Sequence, residues 1–164
     1  MNALGDSGDF LTGLNEGMSH LLDESGLGIR AAAFYCVLDL GAGEIQLSMA
    51  GEVSPIAVFD DGARQLVPPE QASGPALGES EETKYGSVKA PLKGMRRMLC
   101  FTRGITEARD DEGEEFGMTR LLEAIERGGN LPKVMERVAQ AVGNFTVSDQ
   151  FRKAICLLGW DITT

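Results

Sequence analysis

The chain has 164 residues, of which 43% are hydrophobic and 24% charged, and a formal net charge of −10. Those proportions describe one globular domain with a sizeable core, and they exclude disordered, collagenous and coiled-coil classes. The negative charge opposes phosphate backbones and anionic lipid, and no apolar run approaches the ~18 residues of a membrane span, so neither nucleic acid nor membrane is an expected partner.

Residues 1–8 are expected to form a lead-in, with a single domain over 9–162. Phe10, Leu11, Leu14, Met18, Leu21 and Leu22 repeat with a helical period. Ser7 or Asp9 can cap this helix, and Gly26 can end it. Ala31 to Leu40 is an almost continuous apolar run, expected as a buried strand. Gly41-Ala42-Gly43 turns the chain into an alternating strand carrying Ile45, Leu47 and Met49. Two more strands are expected at Pro55 to Phe59 and Ala63 to Val67, either side of an Asp61-Gly62 turn.

Pro68 to Ser80 has the composition of a long surface loop. Thr83 to Ala90 and Met95 to Thr102 are expected as strands, and Arg103 to Glu115 as an acidic loop. Met118 to Arg127 and Leu131 to Val142 have helical periods, the second with Asn130 as cap and Pro132 in its first turn. Ala154 to Trp160 is a last apolar strand. Short connections imply antiparallel pairing, hence an α+β fold.

Cys36, Cys100 and Cys156 each sit in an apolar run with no C-x-x-C pair, so buried free thiols are expected. Free thiols fit a reducing compartment, and the polar, acidic start of the chain is unlike a signal peptide. A cytoplasmic location is therefore expected. His20 is the only histidine, which excludes any metal site needing two histidines from one chain.

Four stretches are more specific. They are Ser48-Met49-Ala50-Gly51-Glu52 with Pro55, then Gly74-Pro75-Ala76-Leu77-Gly78. Next come Thr102-Arg103-Gly104-Ile105-Thr106-Glu107 at the end of an apolar strand, and Gly113-Glu114-Glu115-Phe116-Gly117 before a helix. In this order they resemble the SpoIIE-like bacterial branch of the metal-dependent (PPM-type) protein serine/threonine phosphatases, over about Phe10 to Trp160. That family shows A-G-H-x-P, P-L-G, L-x-x-G-D, T-D-G-x-x-E, G-E-x-F-G and a final D-D pair. The resemblance implies an antiparallel β-sandwich flanked by helices. It also implies two Mn²⁺ or Mg²⁺ ions held by aspartates, whose bridging water attacks phosphoserine or phosphothreonine.

The departures fall on the polar positions of that pattern. Arg103 stands where the resemblance implies a metal-binding aspartate, Glu52 where it implies the histidine, and Met95 where it implies the aspartate of the G-D turn. The D-D pair is at best Asp149-Gln150, which makes Asp149 the one candidate metal ligand. The opening G-G-D strand and D-x-S-G-H-G turn have no counterpart before Phe10, and Gly5-Asp6-Ser7-Gly8-Asp9 is taken as linker. The apolar positions are kept: Phe34, Val37, Leu38, Leu47, Ile56, Leu99, Phe101 and Leu157.

A scaffold retained without its ligands is the profile of a regulatory pseudophosphatase. That reading expects a protein partner in bacterial signalling or sigma-factor switching, and no cofactor for this chain. The alternative is an active phosphatase domain within a longer chain, using Mn²⁺ or Mg²⁺. A third expectation is a homo-oligomer, because missing strands leave open sheet edges. Arg103 is expected either to pair with Glu107 or Asp149, or to bind an anion in the vacated site. Glu107 matches a family glutamate and is expected to be structural.

Overall fold

A computed structural model describes residues 5–25, 28–53, 55–67, 69–146 and 153–163. The elements, in order, are α1 (Ser7–Ser25), β1 (Ala33–Asp39), β2 (Glu44–Ala50), β3 (Ile56–Phe59), β4 (Gly62–Gln65), β5 (Ser73–Gly74), β6 (Val88–Pro91) and β7 (Met95–Phe101). They continue with α2 (Gly117–Glu126), α3 (Leu131–Phe145) and β8 (Leu157–Asp161). The fold is α+β, as expected, with two largely antiparallel sheets and three α-helices among the described residues. The contacts divide it into two compact units, Met1–Ser54 with Val67–Lys93 and Pro55–Leu66 with Gly94–Thr164.

In the first unit, β2 pairs with β1 on one side and with β5 and β6 on the other. All pairings are antiparallel except the two-residue β2–β5 contact. Alternation along β2 places Ile45, Leu47 and Met49 on one face and Gln46, Ser48 and Ala50 on the other.

Helix α1 follows its expected pattern only in part, with Leu11 buried and Met18 packed against the core. Its buried stripe is Ser7, Leu11, Asn15 and Ser19, whereas Phe10, Leu14 and Leu21 are 49%, 40% and 68% exposed. Leu11 packs with Ala50, Leu77 and Tyr85, with Met18 against them, and polar bonds add to this apolar anchor. The Asp6 carboxylate accepts from the backbone N–H of Gly8 and Asp9, so Asp6 caps the helix. The same carboxylate accepts from Ser87 Oγ at 2.6 Å and Gln46 Nε2 at 2.5 Å. Thr12 Oγ1 accepts from the Tyr85 N–H, and Glu16 pairs with Lys84. Asn15 donates to the carbonyls of Ser80 and Glu81 and accepts from the Gly78 N–H. These bonds lace α1 along residues 78–87. The expected strand over 83–90 is accordingly cut to β6, because its first half bonds to the helix. The lead-in is shorter than expected for the same reason: Asp6 is a cap with tertiary partners.

In the second unit the sheet order is β4-β3-β7-β8, all antiparallel. Helices α2 and α3 cover it through a core of Ile56, Leu99, Ile105, Phe116, Leu121, Ile125, Val134 and Val138. Asn130 caps α3, its side chain accepting from the Lys133 N–H. Burial of Cys36 and Cys100 is only partial, and Cys156 is exposed. The expectation of three buried thiols fails most clearly at Cys156, which lies ahead of β8 where the strand has not yet begun.

Candidate functional site

Two of the family-like positions, Arg103 and Glu107, lie just past the C-terminal end of β7. Thr102 leaves the strand with its N–H on the Cys156 carbonyl, and its hydroxyl bonds Ala154 O and the Cys156 N–H. A tight turn follows, in which the Glu107 N–H bonds Arg103 O at 2.8 Å. Ile105 and Ala108 are buried and pin the turn to the core. Gly104 is required by close approach, since a Cβ there would lie 2.4 Å from the Ala154 carbonyl oxygen.

This packing sets Arg103, Glu107 and Lys153 side by side at the surface. Arg103 Nε lies 3.5 Å from the Glu107 carboxylate, and Lys153 Nζ donates to its other oxygen. Chiefly the Lys153 hydrogen bond, helped by the charges of Lys153, Arg103 and Arg109, holds the Glu107 carboxyl below the usual carboxylate range. Arg103 and Glu107 are readable from their i,i+4 spacing. Lys153 is not, because 46 residues separate it from Glu107.

Met95 does not join this cluster. It is buried at the opposite end of β7, about 26 Å of extended chain from Arg103. Glu52 is exposed, just beyond β2 in the first unit. Asp149 lies outside the described residues. Three carboxylates of the acidic loop are held in local bonds: Glu115 pairs with Arg109, Glu114 with Arg120, and Asp110 accepts from the Glu114 N–H.

The other motif positions are architectural. Phe116 is buried and meets Phe145 edge-to-face at 5.4 Å. Gly117 takes φ +76°, a left-handed conformation that favours glycine, and its N–H bonds Thr106 O. Leu77 is buried, and the Gly78 N–H bonds Asn15.

A divalent cation needs several oxygen ligands free of competing charge. The described end of β7 offers one carboxylate, already bonded to an ammonium and beside a guanidinium. Among the described residues, no three His, Cys, Asp or Glu side chains converge. These residues do not fit a pair of Mn²⁺ or Mg²⁺ ions. Nor is any helix of the described residues long and apolar enough to cross a membrane.

Comparison with known proteins gives the site its context. The family model for stage II sporulation protein E (SpoIIE) matches residues 3–154, beginning before Phe10, where the motif resemblance starts. Among solved structures, the SiaA-PP2C domain of Pseudomonas aeruginosa matches with TM-score 0.80 and 19% identity, covering 96% of this chain and 61% of that one. Serine/threonine phosphatase Stp1 from Staphylococcus aureus matches with TM-score 0.71 and 9% identity, covering 96% and 66%. PppA, a key regulatory component of T6SS in Pseudomonas aeruginosa, matches with TM-score 0.65 and 10% identity, covering 93% and 67%. This chain thus spans about three fifths of the SiaA-PP2C structure. At these identities the likeness is one of fold. No curated protein matches.

Proposed function

We propose, from the premise that this chain belongs to the SpoIIE family of PP2C-like phosphatase domains, that it is a regulatory member working by protein–protein contact without hydrolysing phosphate esters. One observation carries this reading: at the end of β7 the carboxylate of Glu107 is bracketed by Arg103 and Lys153. A guanidinium at the position where the family places a metal-binding aspartate repels a cation and cannot coordinate one. The partner is expected to be a bacterial signalling protein, and the compartment the cytoplasm. PppA, described as a key regulatory component of T6SS, has the same fold, which is in keeping with a regulatory role.

The test is hydrolysis of p-nitrophenyl phosphate and of a phosphoserine peptide with Mn²⁺ or Mg²⁺. The expected result is no metal-dependent turnover. Turnover by the parent chain that is undiminished in Arg103→Ala and lost in Glu107→Gln would overturn the proposal. It would put the chemistry at this end of β7 despite the guanidinium.

A second reading is a metal-dependent serine/threonine phosphatase domain within a longer chain. What favours it is coverage, since the SiaA-PP2C structure is longer than the region matched. Its mark would be Mn²⁺-dependent turnover on extending the chain, with Arg103 in place.

A further inference from the structure

A groove of about 280 Å³ runs between α2 and α3, both of them in the second unit. Its apolar lining is Phe116, Ala124, Ala141 and Phe145. The two rings meet edge-to-face, and Phe116 and Ala124 belong to the core of that unit, so the lining is held in shape. The volume is just below the about 300–1,000 Å³ of small-molecule pockets, which leaves room for one large apolar side chain.

Three arginines line the same groove, in a chain whose net charge is −10. Arg120 lies over the Phe145 ring at 4.8 Å and pairs with Glu114. Arg137 donates to the carbonyls of Ala124 and Gly128 at 2.8 and 2.7 Å, so it holds the end of α2 and is itself held in place. Those acceptors are neutral, which leaves its charge and its other N–H groups for an outside acceptor. Among the described residues, neither Arg127 nor Arg137 has a carboxylate partner. Glu123 is the one acidic residue of the lining among the described residues. Positive charge is therefore in excess here, beside an apolar lining.

We infer that this groove docks an acidic segment of a partner protein, seating one leucine or aromatic side chain between the helices with carboxylates on Arg127 and Arg137. The inference rests on the reading of this chain as a member that works by protein–protein contact, and it assigns that contact a surface and a chemistry. A simple anion would use the guanidinium groups but leave the apolar lining uncovered. An uncharged apolar segment would cover the lining but leave the positive charge unanswered. An acidic segment with one apolar anchor meets both. Carboxylates suit the guanidinium fork bidentately, and Arg137 is already fixed by its bonds to α2, so little ordering is needed there on binding.

The test is fluorescence anisotropy with the full 164-residue chain. The probes are short labelled peptides of aspartate and glutamate with leucine, phenylalanine or tryptophan at the centre. Saturable binding is expected, weakening as salt is raised. Alanine at the centre should weaken it about tenfold or more, and asparagine and glutamine in place of the acids should abolish it. Arg127→Glu should weaken it about fivefold or more, since an exposed attraction is lost and a repulsion gained. Arg127 is exposed and holds no other element, so this variant should keep the circular dichroism of the parent chain. Lys89→Glu makes the same change of charge at an exposed position of the first unit and should leave binding unchanged. No saturable binding by any of these peptides overturns the inference. So does an equal loss in Arg127→Glu and Lys89→Glu, which would make net charge and not the groove responsible. Loss of binding on extending the chain overturns it as well, since a segment of the same protein would then occupy the groove. None of these readouts uses phosphatase activity. Absent binding therefore leaves the expected lack of turnover standing, and Mn²⁺-dependent turnover would overturn the proposed function without moving this binding.

Discussion

Replacing Arg103 by aspartate should create measurable Mn²⁺ affinity at the end of β7. A dication about 5 Å from the guanidinium feels a repulsion of about 1.7 kcal/mol in a water-like dielectric. That dielectric is appropriate because the Arg103 side chain is 58% exposed. Arg103→Asp converts this repulsion to an attraction of similar size. The change is about 3 kcal/mol, or somewhat over two decades in affinity. Arg103→Gln removes only the repulsion and should gain about one decade. Isothermal titration with Mn²⁺ is the assay, with the parent chain expected to show no saturable binding. Lys153 still opposes the cation in both variants, so affinity should stay weak in absolute terms. A gain below tenfold in Arg103→Asp would refute the claim that the guanidinium excludes the metal. Tight two-site binding by the parent chain would refute it outright.

Three further outcomes test the architecture. Gly104→Ala should destabilise by about 1–3 kcal/mol in urea melts, because its Cβ would displace the Ala154 carbonyl. An unchanged midpoint would mean that residues 153–156 do not pack on this turn. Leu99→Ala, at a fully buried position of the second unit, should cost about 2–5 kcal/mol by the same measurement. For Asp6, the Ser87 hydrogen bond, with the Gly8 and Asp9 N–H groups and Gln46, holds the carboxyl below its usual value of 3.8. Its stabilisation is therefore complete above that value and is lost as pH falls towards the lower, folded-state pKa. Thermal melts from neutral pH downward should show this acid loss in the parent chain, and a smaller one in Asp6→Asn.

The family's glycine and apolar positions are legible in the sequence because backbone geometry and burial leave local marks. Gly117, Phe116, Leu77 and Leu99 all stand where the motifs place them. The cap of α3 is equally plain, since Asn130 and Pro132 act within one turn. The start of α1 is not. Ser7, Asp9 and Asp6 are all competent caps, and the choice falls to Asp6 through Ser87 and Gln46, 81 and 40 residues away. The helical period of α1 reads correctly, but the side that faces inward reads only in part. An apolar stripe is ordinarily the buried one, yet here Asn15 and two serines share the inward side with Leu11. The i,i+4 pair of Arg103 and Glu107 can be read from spacing alone. Its third member, Lys153, enters only through the packing of Thr102 against residues 154–156.

The lacing of α1 to residues 78–87 bears on the order in which the chain gains structure. Asn15 must wait for Ser80, Thr12 for Tyr85, and Asp6 for Ser87, separations of 65, 73 and 81 residues. Ends so far apart close late, because loop entropy must be overcome before any of these bonds forms. The first helix in the sequence is thus expected to be among the last elements to dock, and its native bonds are largely polar. Amides of α1 and of residues 78–87 should then exchange with solvent as one cooperative group, opening before the sheet beneath them.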